Sequence, residues 1–450
     1  MQNENGVTPK ARIVYIGGAE EDRLALTLPF TDAGYALVSE RDGAAADLGL
    51  IDLRGKRLSA KKAQTIANLL RRKSPESTVI IAIDPYLDAP ARQALRRHGE
   101  LVVIGAKPDA LIARCRQILR LRNIAEEAGE RLKTLASLSR LNEFPPIAAP
   151  PSPLRVLIAG APGAVTLAAV NALRPITEQC VCVFSAGQAM RAVDNARFDC
   201  AIFLPAREND PLLSVVKALR RHPRHNSLPM LFPLHDADDA EIYTKRGAAD
   251  FIMAGHVSAD LAAKAQLAAR RARLLKTMRR FLNVCEGDNI RDATSGAFTP
   301  AFLSEHGARL CARADQTDRP MSLIALRIVA SACDTGEPET GRRALHQAAR
   351  IINRVTRAED TTARIASDTF LVLAPATTQA DAQQAGMRIK GVMENTVFRS
   401  ADNQQLYGVK LETAAIARPS GFCIEECVAL SLKAIQENRA VKPLSQQFLQ

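Results

Sequence analysis

The sequence lacks tryptophan, is poor in other aromatic residues and contains no long hydrophobic segment. Its 450 residues include 4% aromatic side chains, although 47% are hydrophobic. This composition is typical of Ala/Leu/Val/Ile cores in α/β proteins. No apolar run reaches the roughly 18 residues that a membrane helix needs. Residues 1–10 are polar and lack the apolar segment of a secretory signal. We therefore predict a soluble, cytoplasmic protein without a membrane span.

A regular cysteine pattern is also missing. The nine cysteines are an odd number scattered through a long chain, which argues against a disulfide framework. Neither Cys180-x-Cys182 nor Cys423-x-x-x-Cys427 has the spacing of a metal knuckle. We therefore expect reduced, mostly buried cysteines and no metal site.

Positive charge is in excess, with a formal net charge of +12. This permits an anionic partner such as a nucleotide, a nucleic acid or a membrane surface. Short basic runs occur at 270–273 and 276–280, but no aromatic residues interleave them to stack bases. A solvated helix face is therefore the simpler interpretation, and we expect no nucleic-acid partner.

Segments with different patterns follow one another along the chain. At roughly 150 residues per domain, the length predicts about three domains. Residues 10–142 alternate apolar runs with helical patterns, which predicts a doubly wound parallel sheet. Residues 143–153 form a proline-rich linker, and residues 154–285 restart the first pattern. Residues 286–450 mix strands and helices in an order that predicts an α+β domain with antiparallel pairing.

The first domain carries candidate phosphoryl-transfer residues. Asp52 ends the third apolar strand, and Lys107 follows the last one. A carboxylate at the carboxyl end of a strand, with a lysine nearby, could take a phosphoryl group. This arrangement resembles the receiver domains of bacterial response regulators, which implies a flavodoxin-like fold with Asp52 as phosphoacceptor. Gly17-Gly18 stands where that family has its acidic pair, so the resemblance does not extend to Mg²⁺. The alternative is a strand-end carboxylate without chemistry.

The second domain repeats the first without its candidate residues. The segment 155–160 echoes 12–17, which indicates an internal repeat at domain scale. Leu204 replaces the phosphoacceptor, Ala159-Gly160 replaces the acidic pair, and Ala254 replaces the lysine. We therefore expect no phosphorylation there, and an adaptor role in packing or in receiver-mediated homodimerisation.

The last domain has four segments that are similar to GGDEF domains, the domains of diguanylate cyclases. They are Asp292–Thr299, Pro320–Arg327, Arg364–Phe370 and Ala429–Val441. With the two receiver-like domains, the resemblance covers nearly the whole chain. It implies a two-component response regulator that ends in a GGDEF domain.

The signature of the GGDEF family is altered. Arg327 stands at the position of a metal-binding Asp, and Lys433 and Arg439 are similar to phosphate-contacting positions. Cyclases need carboxylates for two metal ions, and the signature glycines let the hairpin approach the nucleotide. The signature segment here reads Ala366, Ser367, Asp368, Thr369 and Phe370. From these changes we predict a degenerate domain that is not an enzyme.

An Arg-x-x-Asp motif, Arg357 to Asp360, lies five residues before the altered signature. The spacing alone is unspecific, because it recurs at 191–194, 207–210 and 399–402. In the GGDEF family this register is the inhibitory, product-binding site, and a third contact falls at Arg388. The resemblance therefore implies cyclic di-GMP as the ligand, with the guanidinium groups and the carboxylate at the guanine edges. The alternative is an ordinary surface ion pair.

We therefore predict a catalytically inactive receptor for cyclic di-GMP that recruits a protein partner. A residual diguanylate cyclase and a nucleotide-independent dimerising scaffold remain as alternatives.

Overall fold

The computed structural model describes residues 9–17, 20–39, 46–53, 64–65, 68, 78–83, 87, 89–96, 99–103, 108–138, 153–207, 209–222, 224–284, 290–330, 338–400 and 406–440. The chain forms two compact units. One unit comprises residues 11–121 and 146–277, and we call it the receiver-like unit only because its sequence resembles receiver domains. The C-terminal unit comprises residues 1–10, 122–145 and 278–450.

The receiver-like unit contains two five-stranded parallel sheets. The first has the strand order β2-β1-β3-β4-β5, which is the flavodoxin-like order. Its described elements are β1 (Ala11–Gly17), α1 (Glu20–Asp32), β2 (Tyr35–Ser39), β3 (Leu48–Asp52), β4 (Thr78–Ile83), α2 (Ala89–Arg96), β5 (Glu100–Val103) and the start of α3 (Asp109–Ser137).

The second sheet repeats this topology, with the order β7-β6-β8-β9-β10. Its elements are β6 (Leu154–Gly160), α4 (Ala164–Leu173), β7 (Thr177–Val183), α5 (Ala186–Asn195), β8 (Cys200–Leu204), α6 (Pro211–Arg221), β9 (Met230–Leu234), α7 (Ala240–Lys245), β10 (Asp250–Met253) and the start of α8 (Val257–Val284). The prediction of two parallel α/β domains is therefore confirmed at this level.

Two glycines show how closely the repeats correspond. Gly17 pairs with Asp52, and Gly160 pairs with Leu204, at the ends of equivalent strands. A Cβ atom on Gly17 would clash with the backbone carbonyl of Asp52, and one on Gly160 would clash with Leu204. Close packing of the strand ends thus requires glycine at both positions.

A buried ion cluster ties together elements of the two sheets within the receiver-like unit. Arg114 of α3 forms ion pairs with Glu100 of β5 and with Asp250 of β10, the latter at 2.6 Å. Lys264 of α8 contacts the other oxygen of Asp250 at 2.8 Å. Because all four side chains are at most 10% exposed, each charge depends on its partners rather than on water.

The C-terminal unit is built on an antiparallel sheet with the order β12-β13-β11-β16. Its elements are α9 (Pro300–Thr317), β11 (Met321–Ala330), α10 (Pro338–Val355), β12 (Thr361–Arg364), β13 (Thr369–Pro375), α11 (Gln379–Glu394), β14 (Phe398–Arg399), β15 (Leu406–Tyr407), β16 (Lys410–Ala417) and α12 (Ile424–Ala440). Strands β14 and β15 form a separate pair. The α+β order predicted from the sequence is confirmed.

The C-terminal unit also includes the second half of α3. Ile124, Ala128 and Leu135 of this half are at most 5% exposed, which places an apolar stripe of the helix in the interior. Leu282, near the end of α8, is also buried in this unit. The domain limits predicted from the sequence, 10–142 and 154–285, stay predictions. They would assign these two helix ends to the α/β domains.

In the described part of the chain, no helix is long and apolar enough to span a membrane. The seven cysteines described there are all free, and four of them are buried.

Candidate ligand-binding site

The Arg-x-x-Asp motif forms a tight turn between α10 and β12. The backbone nitrogen of Arg357 donates to Oδ2 of Asp360 at 2.7 Å. The backbone nitrogen of Asp360 donates to the Arg357 carbonyl at 3.2 Å. This is the pattern by which an Asp side chain closes a turn on its own backbone. The turn therefore holds the carboxyl group of Asp360 against the backbone of Arg357.

Both arginines of the predicted site are exposed and anchored at one side only. Nη1 of Arg357 lies 3.5 Å from the hydroxyl of Thr377, and Nη2 of Arg388 donates to the carbonyl of Val355 at 3.2 Å. Val355 is the last residue of α10, where carbonyls lack intrahelical donors and attract cations. Arg388 on α11 therefore lies beside the turn that carries Arg357, and both residues are exposed.

The carboxyl group of Asp360 has an unusual environment. Its Oδ1 atom is buried and has no hydrogen-bond partner. Burial, followed by the negative charge of Glu359, raises the pKa of Asp360 to about 7, and Glu127 adds to this rise. The contacts with Arg357 oppose the rise but do not cancel it. Asp360 is therefore partly protonated at neutral pH.

A buried charged network lies behind this turn and includes the second half of α3. Oε1 of Glu127 accepts hydrogen bonds from Nε and Nη2 of Arg131 at 3.0 and 2.5 Å. His306 of α9 places Nε2 at 2.9 Å from the same oxygen. Arg131 also donates to Oγ1 of Thr361, the residue that follows Asp360, at 2.7 Å. The network thus connects α3, α9 and the start of β12.

His306 contacts two polar side chains of this network. Oγ1 of Thr134 donates its one proton to the Glu130 carbonyl at 3.0 Å, so it can only accept from Nδ1 of His306, also at 3.0 Å. Burial would raise the pKa of Glu127, but His306 and Arg131 outweigh burial and leave this pKa below its usual value. Both ring nitrogens of His306 thus contact polar side chains, Nδ1 the hydroxyl of Thr134 and Nε2 the carboxylate of Glu127.

The sequence analysis did not identify Glu127, Arg131 or His306. One signal was available, because Glu127 and Arg131 lie four residues apart on the same helical stripe as Ile124 and Ala128. Charged residues inside an apolar stripe indicate a buried ion pair. His306 offered no comparable pattern, since its partners are remote in sequence.

The altered signature forms the turn between β12 and β13. The backbone nitrogen of Ile365 donates to the Thr369 carbonyl at 2.9 Å. Arg364 holds the turn from outside by donating to the carbonyls of Ala366 and Ser367 and to the carboxylate of Asp292. Asp292 also accepts hydrogen bonds from the backbone nitrogen and the hydroxyl of Ser295. Because Asp292 is paired with Arg364, the segment at the start of the predicted domain is tied to the signature turn. Phe370 is fully buried in the sheet core.

Arg327 lies beside this turn on β11 and is paired with a carboxylate. Nη2 of Arg327 contacts Oε2 of Glu412 on β16 at 2.6 Å, and its Nε contacts the same oxygen at 3.0 Å. Thr369 is the β13 partner of Arg327 in the sheet, and its hydroxyl donates to Asp368 at 2.7 Å. The other two candidate residues lie on α12. Nζ of Lys433 is 3.7 Å from Oε1 of Glu437, and the side chain of Arg439 lies outside the described residues.

The candidate phosphoacceptor lies at the carboxyl end of β3. Asp52 is 1% exposed, and its Oδ2 accepts a hydrogen bond from the hydroxyl of Tyr15 at 3.0 Å. Lys107 and Gly18 lie outside the described residues. Leu204 occupies the equivalent strand end in the second sheet.

Within the described ranges, no group of three or more His, Cys, Asp and Glu side chains could hold a metal ion.

The comparisons with known proteins concern the C-terminal unit. Residues 289–439 match the family model "Diguanylate cyclase, GGDEF domain", so the predicted GGDEF domain is confirmed. Similar solved structures include the GGDEF domain of FimX from Pseudomonas aeruginosa, which is 16% identical over 33% of this chain and 92% of that chain, with a TM-score of 0.31. The GGDEF domain of DgcB from Caulobacter crescentus in complex with c-di-GMP is 16% identical over 35% and 91%, with a TM-score of 0.33. A search of curated proteins gave no match.

The prediction that the protein is not an enzyme is wrong as it was stated. The family model that matches residues 289–439 is that of diguanylate cyclases. The prediction relied on residue changes at Arg327 and in the signature turn. A changed residue alters local charge and shape but is not a measure of turnover, so these changes do not show that activity is absent.

Proposed function

We propose that this protein is a receptor for cyclic di-GMP and binds it through Arg357, Asp360 and Arg388. The observation that carries the proposal is the shared location of these residues at one turn, with both guanidinium groups exposed and anchored at one side only. Guanidinium forks can donate to O6 and N7 of guanine and can stack on its ring. A carboxylate can accept from the N1 and N2 donors of the same base.

Titration calorimetry of the full chain with cyclic di-GMP tests this proposal. We expect Arg357→Ala and Arg388→Ala each to weaken binding at least about tenfold, which corresponds to about 1.4 kcal/mol for one lost charge-assisted contact. Arg191→Ala is the matched control, because Arg191 has the same spacing to Asp194 but lies within α5. No binding by the unmodified protein, or equal affinity in all variants, would contradict the proposal.

The family match supports a second candidate function, the condensation of two GTP molecules to cyclic di-GMP with release of two pyrophosphates. Incubation of the protein with GTP and Mg²⁺, followed by chromatography, tests it directly. Product formation would make the Arg-x-x-Asp turn a product-binding site on a working cyclase. The absence of product would leave the receptor function alone.

The two parallel-sheet domains are receiver domains in this proposal, and they relay occupancy to a protein partner as a homodimer. The strand order of both sheets and the position of Asp52 at the end of β3 support the assignment. Asp52 is the candidate phosphoacceptor, and Lys107, which follows the last apolar run of this domain in the sequence, is the candidate lysine. Incubation with acetyl phosphate and mass measurement would detect phosphorylation, with Asp52→Asn as the control. Light scattering with and without cyclic di-GMP would measure the oligomeric state.

A further inference from the structure

Three carboxylates of the C-terminal unit form one cluster at the proposed guanine-binding turn. Glu359 is adjacent to Asp360 in sequence and is 2% exposed, as is Glu127 of α3. The charges of both interact with Asp360. One oxygen of each group is buried and has no hydrogen-bond partner: Oδ1 of Asp360, Oε2 of Glu359 and Oε2 of Glu127. Buried polar atoms are ordinarily paired, because an unsatisfied one costs about 1–3 kcal/mol. The cluster therefore has acceptor capacity that the protein itself does not use.

The nitrogen groups next to this cluster are already engaged. Arg131 donates to Oε1 of Glu127 and to the Leu282 carbonyl, and Nε2 of His306 lies 2.9 Å from the same oxygen of Glu127. Arg357 reaches Asp360 through its backbone nitrogen, while its guanidinium group lies at Thr377. No hydrogen bond from a guanidinium or imidazole group to the carboxyl oxygens of Asp360 occurs in the part of the chain that the structure describes.

The proton of the cluster therefore has a definite location. The contacts of Glu127 with His306 and Arg131 lower the pKa of that carboxyl group despite its burial. Burial and the charge of Glu359 raise the pKa of Asp360 to about 7, and the contacts with Arg357 oppose this rise without cancelling it. Near neutrality, Asp360 is the group that gains or loses the proton.

We propose that Glu127 and Glu359 are positioning residues that set the charge of Asp360, so that a guanine base bound at Asp360 releases a proton from the site. This inference rests on the proposed function. The N1–H and N2–H groups of guanine donate hydrogen bonds. An ionised carboxylate is purely an acceptor, whereas a protonated carboxyl group carries an O–H donor that repels the N–H donors of the base. On binding, the O–H bond of protonated Asp360 breaks, the proton passes to the buffer, and the ionised carboxylate accepts a hydrogen bond from the base.

The consequence is that affinity depends on pH with a definite sign. Ligand favours the ionised form, so affinity rises as pH rises through the pKa of free Asp360, which is about 7. The ionised fraction of such a group increases from about one tenth at about pH 6 to about nine tenths at about pH 8. Binding that requires the ionised form should therefore tighten about ninefold over this range.

Calorimetric titration of the full chain with cyclic di-GMP at about pH 6 and about pH 8 tests the inference, in two buffers of different ionisation enthalpy. We expect ninefold tighter binding at the higher pH and release of about 0.9 proton per guanine bound at Asp360 at the lower pH. In Glu359→Gln, which removes the adjacent negative charge, the pKa of Asp360 should fall, so affinity at the lower pH should rise and the pH dependence should flatten. Glu127→Gln should act in the same direction more weakly.

Glu305→Gln is the control, because Glu305 of α9 is an exposed carboxylate that should leave the pH profile unchanged. Asp360→Asn should bind more weakly and without pH dependence. If the unmodified protein binds cyclic di-GMP at neither pH, the proposed function fails. If it binds with equal affinity at both, or if Glu359→Gln keeps the full dependence, the proton linkage alone is overturned.

Discussion

Glu127 of α3 and His306 of α9 lie 2.9 Å apart, Oε1 to Nε2, although 179 residues separate them in the chain. Both side chains are almost fully buried, at 1% and 0% exposure. The pair belongs to the C-terminal unit and adjoins the turn that carries Asp360. A helix that leaves the first parallel-sheet domain therefore contributes charge to the proposed ligand site, and this contribution can be measured.

The Glu127–His306 pair should be critical for the stability of the C-terminal unit. In His306→Leu, Glu127 keeps Arg131 but loses its contact with Nε2 of His306, and removing one partner of a buried pair costs about 3–5 kcal/mol. Hydrogen exchange, read at peptides from α9 and from the second half of α3, should accelerate accordingly. His235→Ala, which changes an exposed histidine, should alter protection by less than about 0.5 kcal/mol. Unchanged protection in His306→Leu would contradict the assigned contact.

The stability of the same unit should fall as pH rises toward 7 and above. The pKa of Asp360 is raised from 3.8 to about 7 in the folded protein, so the folded state binds a proton that the unfolded state has lost. The contribution is fully present below the unfolded pKa and is lost as pH rises through the folded pKa. We expect a loss on the order of 2 kcal/mol between about pH 4.5 and about pH 7.5.

Denaturant unfolding of the unmodified protein and of Asp360→Asn measures this effect. The variant cannot ionise at this position, so its stability should decline less over the same range. Parallel profiles for the two proteins would show that Asp360 is not the group responsible.

Arg114 should be the most sensitive position of the buried ion cluster in the receiver-like unit. Arg114→Ala leaves Glu100 and Asp250 buried close to each other with one cation fewer, and the expected cost is about 3–5 kcal/mol. Arg116→Ala is a matched control, since Arg116 is exposed on the same helix. Thermal unfolding followed by circular dichroism should show an early transition in Arg114→Ala only. Equal transitions in both variants would rule out a stabilising role for the cluster.

The Arg327–Glu412 pair should contribute little to stability. Its side chains are 19% and 27% exposed, so water screens their attraction. We expect Arg327→Ala and Glu412→Gln each to cost less than about 1 kcal/mol in denaturant unfolding. A much larger loss would mean that the pair holds the sheet at the signature turn.

Replacement of Ala376 by glycine should stabilise the protein. It lies between β13 and α11 with φ of 48°, a left-handed conformation that costs a residue with a Cβ atom about 1–2 kcal/mol. Ala376→Gly removes this strain, and we expect a net gain of about 0.5–1 kcal/mol after the greater freedom of glycine in the unfolded chain is subtracted. Ala374→Gly, in the buried part of β13, should instead destabilise the protein. Urea unfolding of both variants gives the comparison.

Much of the fold was predictable because its signals are local. The apolar runs at 48–53 and 101–104 of the sequence coincide with the strands Leu48–Asp52 and Glu100–Val103. The segment rich in Ala, Leu and Arg that follows the last apolar run of the second domain coincides with the helix Val257–Val284. Such runs are visible because a buried parallel strand is apolar on both faces, and the echo between 12–17 and 155–160 then predicts two domains of one kind.

Less of the candidate site was predictable. Arg357, Asp360 and Arg388 were identified by their register relative to the signature turn, and their role stays a proposal. Glu127, Arg131 and His306 were missed, because ion pairing between remote segments leaves no periodic pattern. The sequence also invited an inference about activity from Arg327 and Thr369 that the family match contradicts.

By itself, then, the sequence determined the α/β, α/β and α+β order of the domains, because strand and helix patterns are properties of neighbouring residues. Only the tertiary structure decided the charge state of the proposed site. The pKa of Asp360 depends on burial and on Glu359 and Glu127, and the ionisation of Glu127 depends on His306. These effects act through space over a few ångströms, so they exist only once the chain has folded.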